Sequence, residues 1–236
     1  MIRVIKTFRF FFLFMVIFLS ENLCAQKTAN QILFGVYQKM LNAKDYVVDA
    51  HIKVDLPFIK MLPVEAEIYF KQPDRFKVKS KGIAILPKQG FSDFSKTIKD
   101  SNSYVAIIAG KETIVKSIAT LLNIIPNADT SDLILGKLWI DTEKNLVLKS
   151  QLTTKSNGTI LVEYIYNSQI YYGLPDSMIF TVDVKKFKVP KGVSADINNP
   201  GSPKNDTGKE PKKGKIYITL KNYRVNKGIP ESIFTN

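Results

Sequence analysis

A period-two alternation of apolar and polar residues is the feature that most constrains the fold of this chain. It runs through residues 48–56, 64–71 and 76–79, where Val, Ile, Leu, Ala and Phe alternate mainly with Asp, Glu, Lys and His. Successive side chains of a β-strand point to opposite faces of a sheet, so these segments predict strands with one apolar and one polar face. Pro73 and Asp74 predict a turn between the second and third segments. Together they predict an antiparallel sheet with one solvated face.

Further short strands are predicted along the rest of the chain, separated by turn signals. They cover residues 104–109, 137–141, 146–152, 159–167, 178–187 and 216–225. Many short strands joined by turns indicate a sandwich or a barrel. The predicted fold class is therefore mainly β.

One helix is predicted before the strands, over residues 28–45. Its apolar residues recur at i, i+1, i+4, i+5, i+8 and i+9, which places them on one helical face, and Thr28 suits the N-cap. Residues 112–125 also have helical spacing of apolar residues. Their β-branched content is equally compatible with a strand, so both assignments stay open.

The first 25 residues have the layout of a cleaved secretory signal peptide. Three basic residues precede an apolar run at 10–19, which is ten residues long. A membrane-spanning helix needs about 20. We therefore expect cleavage after Ala25 and export of the remainder. Cys24 follows Leu23 and Glu21, which differ from the small and aliphatic residues typical of a lipidation site, so no lipid anchor is expected there.

Residues 26–236 are interpreted as a single domain. Removing three bases and one acid with residues 1–25 reduces the net charge from +13 to +11. A basic exported domain either contacts anionic lipid or acidic partners, or simply has a solvated lysine-rich surface; nucleic acid is not an expected partner. Residues 190–214 contain four Pro, four Gly and five Lys, and they predict a mobile loop, because only one further strand follows.

The supply of reactive side chains argues against several classes of chemistry. One Cys and one His exclude a multi-Cys zinc site, a disulfide framework and a poly-His metal centre. His51 lies on the polar face of a predicted strand, where an exposed residue is the simpler interpretation. Glu65 and Glu67 lie two residues apart on one strand face, as a pair of catalytic carboxylates might. Their Lys and Tyr neighbours make a solvated surface the simpler interpretation. We expect no enzyme activity, no cofactor and no metal.

The apolar face of the sheet is the remaining candidate for function. A small barrel fills its interior with side chains, whereas a wider or open one can hold a ligand, and composition does not decide between them. The predicted inner positions are Ile52, Val54, Ile68, Phe70, Phe76, Val78, Leu146, Leu148, Tyr164, Tyr166, Phe180 and Val182.

Residues 68–76, Ile-Tyr-Phe-Lys-Gln-Pro-Asp-Arg-Phe, resemble a hairpin of the periplasmic outer-membrane lipoprotein carriers, the LolA-like superfamily. Leu-Trp-Ile-Asp at 138–141 with Leu-Val-Leu-Lys at 146–149 is similar to a later hairpin of that family. Gly-Leu-Pro at 173–175 and Gly-Ile-Pro at 228–230 are similar too. The individual motifs are short, but their order extends over most of the exported chain.

The resemblance implies an unclosed antiparallel half-barrel with one or two helices over a concave apolar face. It also implies a monomeric periplasmic carrier or chaperone that binds acyl chains of lipoprotein or lipid cargo. Membrane-bound transfer partners and transient contact with a membrane surface would follow. Gln72, Pro73 and Arg75 would form the cargo-handling hairpin, although the family has Arg where this chain has Gln72. The alternative is a binding module without carrier activity, such as an envelope-stress sensor or an assembly subunit.

Overall fold

The computed structural model describes residues 27–57, 61–82, 84, 98–156, 158–183 and 213–235. The predicted signal peptide at 1–25 and residues 190–212 of the predicted loop lie outside this part of the chain. Lys213 and Gly214, assigned to that loop from the sequence, begin the last strand instead. Among the helices of the described residues, none is long and apolar enough to cross a membrane.

Ten strands form one antiparallel sheet, in the order β3-β2-β1-β10-β9-β8-β7-β6-β5-β4. Their bounds are Asp45–Asp55 (β1), Val64–Lys71 (β2), Arg75–Ser80 (β3), Tyr104–Ile114 (β4), Ser117–Pro126 (β5), Leu133–Asp141 (β6), Leu146–Thr154 (β7), Gly158–Ile165 (β8), Ser177–Asp183 (β9) and Lys213–Val225 (β10). β3 and β4 are the two edges, so the sheet is not closed. The predicted fold class, a mainly β half-barrel with a helix, is confirmed.

The single long helix of the described chain, α1, comprises Ala29–Leu41 and lies against the sheet. Thr28 is its N-cap: the hydroxyl accepts a hydrogen bond from the Gln31 backbone, while the Gln31 side chain accepts one from the Thr28 backbone. The buried face of α1 carries Ala29, Ile32, Leu33 and Val36, spaced as one helical face requires. α1 contacts β4, β7 and the short 3₁₀ turn Ile170–Tyr172.

The register of the strands places every second residue on the face that α1 covers, which we call the inner face. One row crosses eight strands through paired positions: Ile108, Leu122, Leu138, Ser150, Val162, Phe180, Ile216 and Val54. The alternation in β1 is followed without a break, because Tyr46, Val48, Ala50, Ile52 and Val54 are all buried. The period-two pattern therefore predicted the inner face correctly.

Residues 112–125, left open between helix and strand, belong to the hairpin of β4 and β5. Ile114 pairs with Ser117 across a turn at Val115 and Lys116, and Thr113 pairs with Ile118. The helical alternative is wrong, because the β-branched residues of this segment pair with a neighbouring strand that local spacing does not reveal.

The buried residues form two clusters on the inner face. One lies between α1 and β4 to β7 and includes Leu33, Leu122 and Leu138. The other lies over β1, β2 and β8 to β10 and includes Ile68 and Phe180. Tyr164 packs against both clusters. α1 therefore covers one half of the inner face directly.

Leu33 and Phe34 provide a matched test of this packing. Leu33 is fully buried on the face of α1 that meets the sheet, whereas 61% of Phe34 is exposed on the opposite face of the helix. Leu33→Ala should lower the free energy of unfolding by about 2–5 kcal/mol, because it leaves a cavity in the core. Phe34→Ala should change it by less than about 0.5 kcal/mol. Urea denaturation measures both, and equal losses would contradict this placement of the helix.

Candidate functional site

Two adjoining cavities lie beside the C-terminal half of α1. The larger has a volume of about 320 Å³ and the smaller about 100 Å³. Met40, Tyr46, Gly173 and Leu174 border both. Ligand pockets in proteins are about 300–1,000 Å³ and mostly apolar with a few polar groups, so the larger cavity is at the lower end of that range.

Tyrosine is the characteristic side chain of these cavities. The walls carry Tyr37, Tyr46, Tyr164, Tyr166, Tyr172 and Tyr223. Two of the hydroxyls donate hydrogen bonds to backbone carbonyls: Tyr166 to Val147 at 2.9 Å and Tyr223 to Pro175 at 2.7 Å. With the polar tips held in this way, the ring faces remain as apolar walls.

Burial keeps these phenols neutral. It raises the pKa of Tyr164 to about 12, with the Ser150 hydrogen bond acting in the opposite direction. It also raises the pKa of Tyr46, Tyr166 and Tyr223. Because a buried ionised phenol lacks solvation, the neutral form is favoured. These four cavity-wall tyrosines therefore add no negative charge at neutral pH.

The β2–β3 hairpin holds the C-terminus of α1 through Gln72. Its side-chain amide donates to the carbonyl oxygens of Leu41 and Ala43, at 3.2 and 3.0 Å. Its backbone N–H donates to the Lys44 carbonyl at 2.8 Å. The last carbonyls of a helix have no partner within the helix, so the hairpin supplies one here. Gln72 and Pro73 also line the larger cavity.

The C-terminal segment ties the same junction from the other side. The Asn226 side chain accepts a hydrogen bond from the Lys44 backbone at 2.7 Å and donates one to the Asn42 carbonyl at 2.9 Å. Glu231 forms ion pairs with Lys71 and Arg75 on the β2–β3 hairpin. Arg75, predicted as part of the cargo-handling hairpin, therefore faces the C-terminal segment.

The connection between β8 and β9 forms the third wall. Tyr172, Gly173 and Leu174 line the larger cavity. Gly173 has a φ of +66°, and a Cβ there would lie 3.1 Å from Cγ of Lys39 on α1. Both the backbone conformation and the close approach of the helix therefore require glycine. The Asn42 side chain donates to the Tyr171 carbonyl at 3.2 Å and holds this segment against α1.

The twelve inner residues predicted from the sequence divide into three groups. Five are buried in the core: Ile52, Val54, Ile68, Phe180 and Val182. Phe70, Leu146, Tyr164 and Tyr166 line the cavities. Phe76 and Val78 pack against the core from the edge strand, and Leu148 is half-buried without lining either cavity.

Sequence reasoning missed Met40, Tyr46, Leu174 and Tyr223. Tyr46 continues the apolar alternation of β1 towards the helix, so that pattern contained a signal for it. Tyr223 is out of phase with Ile216, Ile218 and Leu220, because the pairing of β10 with β1 shifts register before it. Met40 belongs to the apolar face of α1, but the sequence does not show that this end of the helix borders cavities.

The polar residues singled out in the sequence make ordinary surface contacts. His51 is exposed and lies 2.5 Å from Glu65, while Glu67 pairs with Arg224 across the outer face. No cluster of three or more His, Cys, Asp or Glu able to hold a metal occurs among the residues described.

Solved structures share this architecture. A LolA superfamily protein from Nitrosomonas europaea, 11% identical, aligns over 89% of this chain and 99% of its own with a TM-score of 0.57. A domain from Vibrio parahaemolyticus assigned to outer-membrane lipoprotein sorting, 9% identical, covers 86% and 95% with a TM-score of 0.56. A DUF1329 family protein from Desulfovibrio piger, 12% identical, covers 89% and 98% with a TM-score of 0.54.

The chain has the LolA superfamily fold. No family model matches its sequence, and no curated protein matches it. The expected half-barrel is thus confirmed by structure, whereas similarity at this level of identity bears on the fold alone.

Gln72 is expected to stabilise the junction between α1 and the sheet. Gln72→Leu removes two side-chain hydrogen bonds to backbone carbonyls, and it should lower the free energy of unfolding by roughly 1–3 kcal/mol. Gln38 is exposed on α1 and serves as the control, since Gln38→Leu should have little effect. Thermal denaturation compares the two; an unchanged melting temperature for Gln72→Leu would show that the cap contributes nothing.

The buried tyrosines predict a loss of stability at alkaline pH. The folded-state pKa of Tyr164 is about 12 against an ordinary 10.0. Its contribution to stability is therefore fully present below pH 10.0 and is lost as the pH rises to about 12. Tyr164→Phe should make the decline in stability over that interval shallower. Urea denaturation at increasing pH measures this, and identical slopes in both proteins would contradict it.

Proposed function

We propose that the protein is a periplasmic carrier or chaperone that binds acyl chains of a lipoprotein or lipid and passes this cargo towards the outer membrane. The observation that carries the proposal is the tyrosine-walled cavity of about 320 Å³ between α1 and the inner face. The signal-like sequence at 1–25 and the fold of the LolA superfamily support it.

The cavity walls suit an alkyl chain. Met40, Phe70, Tyr46 and Leu174 present apolar surface, and the Tyr46 and Phe70 rings are stacked with centroids 5.1 Å apart. Each CH₂ transferred from water to such surroundings contributes about 0.8 kcal/mol. The charged side chains at the larger cavity are Asp74 and Lys99. A cargo with a long alkyl chain and a polar head fits this distribution.

Gln72 is proposed to act on the cover of the site. It joins the β2–β3 hairpin to the end of α1, and both elements border the larger cavity. Entry of cargo requires these elements to separate, and two neutral hydrogen bonds oppose that by a small amount, about 1 kcal/mol each. An Arg at this position would hold the carbonyls more tightly, since charged hydrogen bonds are about twice as strong.

Native mass spectrometry tests the carrier function directly. Protein exported in a bacterial host and eluted gently should carry lipid, and the emptied protein should take up a fluorescent fatty acid. A protein that holds no lipid, takes up no fatty acid and elutes with a stable protein partner would instead be the non-carrier binding module.

Phe70 provides the site-directed test. Phe70→Asp places a charge in the wall of the larger cavity and should abolish uptake of the fluorescent fatty acid. Phe34→Asp, on the exposed face of α1, is the matched control and should leave uptake unchanged. Circular dichroism checks that both variants fold.

Met40 keeps this test decisive if Phe70→Asp does not fold. Met40 borders both cavities, so Met40→Trp fills space without adding a charge and should also reduce uptake. Folded variants of both residues with normal uptake would place the acyl site elsewhere.

A further inference from the structure

Four residues border both cavities: Met40, Tyr46, Gly173 and Leu174. We call these four residues the partition, because a residue that lines two adjoining spaces lies between them. The other lining residues differ from one cavity to the other. Whether a ligand in one cavity can reach the other therefore depends on how firmly each residue of the partition is held.

The larger cavity reaches the surface, whereas the smaller one lies in the interior. Pro73, Asp74 and Lys99 line the larger cavity and are exposed. Every residue that lines the smaller cavity is buried or half-buried, including Lys39, the charged residue among its walls. Those walls take apolar residues from both buried clusters: Val36, Val48, Val147, Met178 and Leu220. A ligand arriving from solvent therefore enters the larger cavity first and meets the partition at its inner end.

Tyr46 is held on both sides by other rings. It is buried, and its ring stacks on Phe70, which lines the larger cavity, with centroids 5.1 Å apart. It also makes an edge contact at 5.8 Å with Tyr223, which lines the smaller cavity. Tyr46 belongs to β1, which pairs with both β2 and β10. Its ring therefore forms a fixed side of the partition.

Gly173 and Leu174 form a second fixed side. Gly173 contributes backbone only, and its N–H donates to the Ile170 carbonyl at 3.1 Å. The Leu174 N–H donates to the Gln169 carbonyl at 3.2 Å, and the Leu174 side chain packs against the buried cluster that includes Phe180. Displacing either residue would break these backbone hydrogen bonds.

Met40 is the part of the partition that is best able to move. It is half-buried in the last turn of α1, one turn beyond Val36 and Tyr37. Val36 lines only the smaller cavity and Tyr37 only the larger, so Met40, at i+4 and i+3 from them, lies over the boundary. Methionine is unbranched, has several rotatable bonds and adapts its shape to the space around it. A change of rotamer at Met40 would join the two cavities without moving the backbone.

We propose that the two cavities form one acyl-chain site in series, with Met40 as a gate between them. The polar head of the ligand stays near Asp74 and Lys99 at the surface, and the middle of the chain fills the larger cavity. The terminal methyl passes Met40 into the smaller cavity. The ligand class is a single long, unbranched acyl chain. This inference rests on the proposed acyl-chain site and assigns to it a selectivity for chain length.

The selectivity follows from the order of the two spaces. A short chain is accommodated by the larger cavity alone, and a longer one gains burial only for the CH₂ groups that pass the partition. Each such group can raise the affinity by up to about fourfold, the factor expected for complete transfer of a CH₂ out of water. A branched or cyclic group is wider than a linear chain and would be stopped at the partition.

Competition binding with decanoic and hexadecanoic acid tests the gate. Each acid displaces the fluorescent fatty acid from exported, lipid-free protein, and the ratio of the two affinities is the selectivity for the longer chain. Leu220→Phe fills the smaller cavity only, so it should weaken binding of hexadecanoic acid at least fivefold and of decanoic acid less than twofold. Met40→Ala removes the gate and should raise the selectivity about threefold.

Met61→Ala is the matched control. Met61 is also a half-buried methionine that packs against the core, but it lines neither cavity. The selectivity of this variant should stay within twofold of that of the unaltered protein, whatever stability the substitution removes. Circular dichroism and thermal denaturation show whether each variant is folded at the temperature of the assay.

Photocrosslinking locates the end of the chain in the unaltered protein, and it decides the question even if Leu220→Phe does not fold. Hexadecanoic acid with a diazirine at its terminal carbon should label residues that line the smaller cavity alone, such as Tyr166 and Met178. A diazirine near the carboxyl end should label the larger cavity, for example at Phe70 or Tyr172. Mass spectrometry of the digested protein identifies the labelled peptides.

The results distinguish this inference from the proposed function on which it rests. If fatty acid binds with the same selectivity in every variant and its terminal carbon labels only the larger cavity, the gate is overturned and the carrier function stands. A protein that binds neither acid would overturn both.

Discussion

An unclosed sheet leaves an apolar inner face that something else must cover, and α1 covers only part of it. Leu33 and its neighbours on the helix are buried against the β4 to β7 half. Met40, near the C-terminal end of the helix, borders both cavities. The cavity is thus a consequence of an open sheet and a helix of 13 residues.

The end of α1 is held by polar contacts in addition to the packing of Tyr37 and Met40. Gln72 from the β2–β3 hairpin and Asn226 after β10 bond to backbone groups at the junction between helix and β1. Glu231 links the same two elements through ion pairs with Lys71 and Arg75. Each such hydrogen bond contributes little to the net free energy of folding, and an exposed ion pair contributes less still. These polar contacts therefore cost less free energy to break than the buried apolar packing around Leu33.

The sequence predicted the sheet well because its pattern is local. The alternation in β1 and β2 and the capping residue Thr28 each depend on neighbours a few positions away, and the structure confirms them. Residues 112–125 were ambiguous because their apolar spacing fits a helix as well as a strand, and that spacing does not show the turn at Val115 and Lys116 or the pairing of β5 with β4 and β6. Leu148, one of the twelve predicted inner residues, lies at a register shift between β6 and β7, where Val147 joins the buried cluster instead, and local alternation does not reveal such a shift.

The apolar alternation in the sequence could not distinguish residues of the core from residues that line a cavity. Phe180 and Tyr166 have the same pattern in sequence, yet one is fully buried in the core and the other lines a cavity. Which of them meets empty space depends on how α1 lies over the inner face and on Gly173, whose missing side chain lets the β8–β9 connection approach Lys39. Both are properties of packing between distant elements, and no single segment encodes them.

Under the proposed carrier function, the size of the cavity limits how cargo is held. A chain of ~16 carbons buried completely would contribute at most ~13 kcal/mol, and three such chains ~40 kcal/mol, beyond the ~20 kcal/mol that non-covalent complexes reach. A cavity of about 320 Å³ lies at the small end of the range for ligand pockets, so it suits one chain rather than three. Additional chains would need the helix end to move outward or would stay partly exposed. Partial burial keeps the affinity low enough for release, which a carrier requires as much as binding.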